Sequence, residues 1–334
     1  MPDPVPMVEL WRGPLRESLH AGHAAICDAR GAVVEGWGDP QGVIYPRSSC
    51  KMIQALPLVE SGAADAAGLS PAQLALACAS HQGSAMHVAA VADWTRGLGL
   101  AEADFRCGSH EPDDRAERLR LIRAGEAPCQ FHNNCSGKHA GFLTLARHLR
   151  AGPDYVAIDH PVQVAARAAF EDLTAETSPG WGVDGCSAPN HASTLAGLAR
   201  AMAAFAAATG GGDARDRAMH RLTRAMIAHP GMVAGEGRAC TELMQAAGGR
   251  AAIKTGAEGV FVAILPDLRL GLALKIADGA TRASEAAVTA LLVRLGVVAA
   301  DHPAARRRLG RAMANWRGIA TGTLRAAPGF PAAP

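Results

Sequence analysis

The chain has 334 residues, 49% of them hydrophobic and 19% charged, with a formal net charge of +2. This length supports a large core, and the near-neutral balance without a basic stripe or charge block argues against nucleic acid as a partner. No apolar run reaches the roughly 18 residues that suggest a membrane span.

The first strong pattern is a hairpin over 22–44. His23-Ala-Ala-Ile-Cys-Asp28 forms one strand, Ala29-Arg-Gly31 the turn, and Ala32-Val-Val-Glu-Gly-Trp37 the return. A helix is expected over 47–61, after Pro46, with Ile53, Ala55, Leu56 and Leu58 as its apolar side. Helices follow at 71–79 and 85–99, separated by the polar segment Ser80-His-Gln-Gly-Ser84. Residues 105–135 are mostly polar, with a short helix near 115–124. Further helices are read at about 138–150, 161–175, 191–209 and 215–228, the last two broken by Gly210-Gly-Gly212.

From residue 251 the period changes to that of strands. Ala252-Ile-Lys254 and Gly259–Leu265 are strands, Pro266-Asp-Leu268 a turn, and Arg269–Lys275 the returning strand. A helix over 281–297 and a last strand over 318–325 complete the pattern, and no internal repeat is evident. Strands thus cluster at both ends, while about 70–250 is mostly helical. The expected fold is of the α/β class in an α+β arrangement: one antiparallel sheet built from N- and C-terminal strands and flanked by helices. A single catalytic unit is expected over 1–325, with a disordered Ala/Pro tail at 326–334.

Eight cysteines, scattered through the chain, do not form the framework of a small secreted domain. The opening Met1-Pro-Asp-Pro-Val-Pro6 has neither the basic nor the apolar region of a signal peptide. Both point to the cytoplasm. Only four lysines, Lys51, Lys138, Lys254 and Lys275, stand against 29 arginines. A lysine retained amid so many arginines marks a place where a deprotonable amine matters, because arginine stays charged. Three of the four lie in Gly- or Ser-containing polar motifs; Lys275, at a strand end, is read as structural.

Those motifs carry the chemistry. In Arg47-Ser-Ser-Cys-Lys51, Ser48 and Lys51 are three apart at an expected helix start, so they share a face. A neutral amine there can take the hydroxyl proton, and a helix N-terminus offers N–H groups to an oxyanion. Ser80 lies on a loop, and Lys254-Thr-Gly256 on a strand near the sheet edge. A Ser-x-x-Lys helix, a Ser loop and a strand Lys-Thr-Gly follow the order found in penicillin-binding and serine β-lactamase folds. Two further polar turns, His132-Asn-Asn-Cys-Ser-Gly-Lys-His139 and Val183-Asp-Gly-Cys-Ser-Ala-Pro189, each hold one cysteine. Two thiolates neutralise a Zn²⁺ and leave room for a nitrogen ligand, for which His132, Lys138 and His139 are the local candidates.

On these motifs, together with Cys107-Gly-Ser-His110 and Lys254-Thr-Gly-Ala-Glu-Gly259, the chain resembles the rhizobial-type, or class 3, L-asparaginases. The resemblance spans residues 47–259 and the flanking strands. It implies a serine β-lactamase-like fold, a homodimer, two Ser–Lys tandems (Ser48 with Lys51, Ser80 with Lys254), and zinc held by Cys135, Lys138 and Cys186. The expected reaction is hydrolysis of L-asparagine to aspartate and ammonia, with Ser48 as nucleophile. Arg47, His81, Asp184, Gly185 and Glu258 are candidate substrate anchors. Two rival readings are a glutaminase or penicillin-recognising hydrolase, and a metal-dependent binding protein without turnover.

Overall fold

A computed structural model describes residues 3–310 and 312–331. Two compact units form, and the chain passes between them more than once: Met1–Ser49, Thr194–Ala207 and Glu242–Pro334 make one, Cys50–Ser193 and Ala208–Thr241 the other.

The first unit is built on the sheet. Its strands are β1 (Val5–Arg12), β2 (Leu15–Asp28), β3 (Val33–Trp37), β4 (Ala252–Thr255), β5 (Val260–Leu265), β6 (Leu270–Ile276), β7 (Ala312–Ala314) and β8 (Ala320–Ala326). Their order is β7-β8-β1-β2-β6-β5-β4, with β3 also paired to β2. Every pairing is antiparallel, and the N- and C-terminal segments meet where β2 pairs β6, with Ala25 opposite Ala273. Met7, Ile26, Ile264, Leu272 and Leu274 are fully buried, as are Val288, Leu291 and Leu292 of the Thr281–Arg294 helix. That amphipathic division, apolar sheet face against apolar helix stripe, is what holds the unit together.

The α/β class and the sheet made from both chain ends agree with the sequence reading. The N-terminal strand β1 was not read there. Pro6 hides it: a proline gives no N–H to a ladder, and it is tolerated here because the β1–β2 register shifts between Pro6 and Val8. The segment expected as a tail is packed in part. Ala327 and Phe330 are buried, and the Phe330 ring meets Trp37 edge-on at 5.5 Å. Residues 332–334 lie outside the described residues.

The second unit is helical. The single helix expected over 47–61 is instead a 3₁₀ turn, Arg47–Cys50, and two short helices, Lys51–Gln54 and Leu56–Glu60. Pro57 sits in the first turn of the latter. It cannot donate to the preceding turn, so the helix must restart there. The helices Pro71–Ala77, Ala85–Gly97, Arg115–Ala124, Ser136–His148, Pro161–Thr174 and Ala214–Ala228 lie within one to three residues of their expected bounds. The helix expected over 191–209 begins only at Leu195 and belongs to the first unit, because Pro189–His191 forms a strand paired with Trp181–Val183. No described helix is long and apolar enough to cross a membrane.

Candidate active site

In the sheet unit, Ser48 lies in the 3₁₀ turn that follows Pro46, and it is half-buried. The turn is closed locally: the Ser49 N–H donates to the Pro46 carbonyl at 3.2 Å and the Ser49 hydroxyl at 2.7 Å. The Ser49 N–H is therefore engaged within the turn. Arg47 opens the turn with φ of 53°, a left-handed conformation rare for a residue with a Cβ. The turn lies against the end of β4. A Cβ on Gly256 would stand 2.6 Å from the Pro46 carbonyl oxygen and 3.3 Å from Ser49 Cβ. Only glycine in the Lys-Thr-Gly triplet lets the serine turn come this close. Lys254, two residues earlier, is fully buried, and its Nζ donates to the Thr255 carbonyl at 2.8 Å. Glu258 is exposed, with φ of 58°.

In the helical unit, Lys51 is fully buried. Its Nζ donates to the Ala79 carbonyl, to Ser80 Oγ at 3.0 Å and to Cys135 Sγ at 3.0 Å. The Ser80 loop is pinned from three sides: Ser80 N–H donates to Val233, His81 N–H to Asn134 and Gln82 N–H to Ala234. His81 is fully buried, with both ring nitrogens committed inside the protein. Nδ1 accepts from the Gly83 N–H at 3.1 Å, which leaves Nε2–H facing Ser136 Oγ at 2.9 Å. Burial, reinforced by His87 and Lys51, holds its pKa well below the usual imidazole value. His81 therefore braces the loop that carries Ser80.

The second cluster is built on the Ser136–His148 helix, whose N-cap is Cys135. A Cβ on Gly137 would stand 2.2 Å from the Leu76 carbonyl oxygen, so glycine allows this helix end to lie against the Pro71–Ala77 helix. Lys138, one turn past Cys135, is buried, and its Nζ is 3.0 Å from Cys186 Sγ. Cys186 comes from the turn between Trp181–Val183 and Pro189–His191, where the Ser187 N–H donates to the Asp184 carbonyl and the Asp184 N–H to the Ala188 carbonyl. Asp184 is half-buried and Gly185 exposed in the same turn.

Cys135 and Cys186 are hydrogen-bonded through their sulfurs. That bond holds the Cys186 thiol far below its usual pKa, helped by Lys138, while it and burial raise that of Cys135. Burial alone would lower the pKa of Lys138, but Cys186, Cys135 and Asp184 outweigh it and raise it above the ordinary lysine value.

Two converging sulfurs and an amine are a donor set that suits zinc, with the amine binding in its neutral form. Among the described residues no group of three His, Cys, Asp or Glu side chains is placed for a metal, so a site here depends on Lys138 as third donor. Asn133 fixes the centre from outside. It donates to the Cys107 and Gly108 carbonyls at 2.9 and 3.0 Å and accepts from the Cys135 N–H at 2.8 Å. Sequence reasoning missed Tyr155, fully buried and 2.8 Å from His139 Nδ1; its only signal was rarity, one of two tyrosines in the chain.

Fold and site together define an α/β protein that buries lysines beside serine and cysteine side chains. The chain belongs to the L-asparaginase II family, whose sequence model matches residues 8–326. No curated protein matches it. Among solved structures, it is similar to Mglu in its native form, at 15% identity and a TM-score of 0.45 over 84% of this chain and 66% of that one. It spans just under two thirds of that protein's length. A β-lactamase from Mycobacterium bovis is similar at 13% identity and a TM-score of 0.45 over 83% of this chain and 95% of that one.

Proposed function

We propose that this protein hydrolyses L-asparagine to L-aspartate and ammonia, with Ser48 as nucleophile and Lys51 as its base. Membership of the L-asparaginase II family supports the substrate class. The observation that carries the catalytic assignment is the burial of Lys51 with its Nζ 3.0 Å from Ser80 Oγ, one helical turn after Ser48 in the chain. A buried amine beside a hydroxyl is the pairing that Ser–Lys catalysis needs.

Ser48 Oγ bonds to the side-chain amide carbon as its proton passes to Lys51. The C–N bond then breaks, and Ser80 with Lys254 delivers the proton that lets ammonia leave. Water, activated by the same groups, cleaves the resulting ester and regenerates Ser48. Arg47 faces the substrate carboxylate in this reading, and Asp184 or Glu258 its ammonium.

Cys135, Lys138 and Cys186 would hold zinc. When bound, the ion would supply positive charge that orients substrate oxygen, without providing the nucleophile. The enzyme is read as a cytoplasmic homodimer, which light scattering on the purified protein would test.

Ammonia release from L-asparagine, L-glutamine and a chromogenic β-lactam, measured side by side, tests the activity. L-Asparagine should be turned over fastest, and no ammonia from it would end the reading. Ser48→Ala should lower kcat by several orders of magnitude in folded protein; activity within about tenfold of wild type would reassign the nucleophile.

A further inference from the structure

His139 holds a polar atom that the mechanism above does not use. The ring is fully buried, and Nε2 has no hydrogen-bond partner among the described residues. Buried ring nitrogens are nearly always paired, so this one calls for an acceptor that the protein itself does not supply.

The neighbours fix which proton is involved. The Arg106 main-chain N–H donates to Tyr155 Oη at 2.8 Å, and that oxygen is 2.8 Å from His139 Nδ1. The arrangement that employs every group has the phenol accept from Arg106 and donate to Nδ1. The ring hydrogen then sits on Nε2, as a donor. Tyr155 also locks the ring plane, since its own hydroxyl is held by main chain and its ring packs edge-on to the imidazole at 5.4 Å.

Position indicates where that donor is used. Cys135, Lys138 and His139 are spaced i, i+3, i+4 and so share one face of the helix they begin. The imidazole is within electrostatic reach of Lys138, Cys135, Lys51 and Asp184.

Resting on the amidohydrolase reading, we propose that His139 is a positioning residue whose Nε2–H donates to an oxygen of the small ligand held at the Cys135–Lys138–Cys186 centre. The acceptor is either water on the bound metal or a carboxylate of the substrate. A neutral donor suits this place: it orients a lone pair without adding a cation beside Lys138 and a metal. Tyr155 and Arg106 keep the tautomer.

Protein labelled with ¹⁵N-histidine tests this directly. The His139 ε2 signal, assigned by its loss in His139→Gln, is followed as zinc chloride and then L-aspartate are added. A shift with zinc alone identifies water as acceptor, and a shift that needs L-aspartate identifies the carboxylate. A signal unmoved by both overturns the proposal.

Kinetics give a second reading. His139→Phe keeps the ring and loses the donor, and should raise KM for L-asparagine about tenfold with kcat within about threefold. His139→Gln, with an N–H at a similar reach, should recover most of the affinity. Unchanged KM in His139→Phe, or a loss confined to kcat, also overturns it. Should His139→Phe fail to fold, the labelled wild type still decides. Should the wild type release no ammonia, the hydrolase reading fails, while the ε2 shift continues to judge His139 by itself.

Discussion

Lys51 Nζ is 3.0 Å from the sulfur of Cys135, 84 residues further along the chain. One amine thus touches both the Ser80 hydroxyl and a candidate metal ligand. Zinc on Cys135 would alter the field at Lys51, and any shift of Lys51 would be felt by Cys135. The Ser80 loop and the Cys135 segment, separate in sequence, meet at Lys51 in the helical unit.

Substitution of Lys51 should therefore damage two properties together. Lys51→Arg keeps charge but loses the ability to accept a proton, and its larger head overfills a fully buried site at a cost of about 1–3 kcal/mol. Lys51→Met removes the charge but leaves the Ala79 carbonyl short of a donor, costing a further ~1–3 kcal/mol. Both variants should be nearly inactive, and both should bind zinc more weakly than wild type. Steady-state kinetics and competition with a chromogenic chelator measure the two effects. Normal zinc affinity in both variants would show that the Lys51–Cys135 contact has no energetic consequence.

Gly137 should be intolerant of even one methyl group. Alanine is the better helix former by about 1 kcal/mol, yet its Cβ would stand 2.2 Å from the Leu76 carbonyl oxygen and 2.6 Å from Leu76 Cγ. The helix end must then move away, carrying Cys135 and Lys138 with it. Gly137→Ala should lower the urea midpoint, by an amount equivalent to about 1–3 kcal/mol, and reduce zinc affinity. A midpoint equal to that of wild type would mean that the two helices separate without strain.

Stability should fall on the acid side of pH 6.5 more steeply than carboxylates alone would produce. His81 is fully buried, and burial first, then His87 and Lys51, hold its folded pKa well below 6.5. In the unfolded chain His81 takes up a proton near pH 6.5, while in the folded protein it does not. The unfolded state therefore binds more protons, and stability is lost as pH falls from about 6.5 towards the folded pKa. One such histidine contributes a slope of up to about 1.4 kcal/mol per pH unit. Urea unfolding of wild type and His81→Gln between pH 7.5 and 5 measures it. The variant should be less stable at pH 7.5 yet flatter with pH, and parallel curves would refute the assignment.

Much of this architecture was legible because it is local. Ser70 caps the Pro71–Ala77 helix through a capping box with Gln73, and Asp114 caps Arg115–Ala124. Helix starts of that kind can be read from a few residues. The hairpin β2–β3 and the meander β4–β5–β6 were visible in their apolar runs. What escaped depends on distant partners. Strand β1 exists because β2 and β8 flank it. The Lys51–Cys135 contact needs the Ser136–His148 helix to lie beside the Ser80 loop, which no spacing reveals. The partners of His81, a candidate substrate anchor by sequence, are of the same kind: Gly83 and Ser136 engage its two ring nitrogens, and no spacing within the polar loop discloses that.

Zinc removal should separate binding from chemistry. In the proposed site Cys135, Lys138 and Cys186 would bring two thiolates and one neutral amine to a divalent ion, so the loaded centre would have formal charge zero. That is the charge state a buried site tolerates, because an uncompensated ion there is costly. Without metal, the Cys135–Cys186 hydrogen bond and the Lys138–Cys186 contact at 3.0 Å hold the same three groups together. Loss of zinc should therefore leave the fold intact. Because Ser48 supplies the nucleophile in the proposed reaction, the reaction should survive in the apo-enzyme, while the orientation of substrate oxygen is lost. Chelation should raise KM for L-asparagine by at least about tenfold, equivalent to ~1.4 kcal/mol, with a substantial part of kcat retained at saturation. Cys135→Ala should do the same, with a further loss from the changed surroundings of Lys51. Elemental analysis comes first: protein that holds no zinc and takes none up on titration would leave the two cysteines as a buried pair without a metal. If zinc binds and its removal abolishes kcat at saturating L-asparagine, without a change in circular dichroism, then the metal takes part in the chemical step and Ser48 is not sufficient for it.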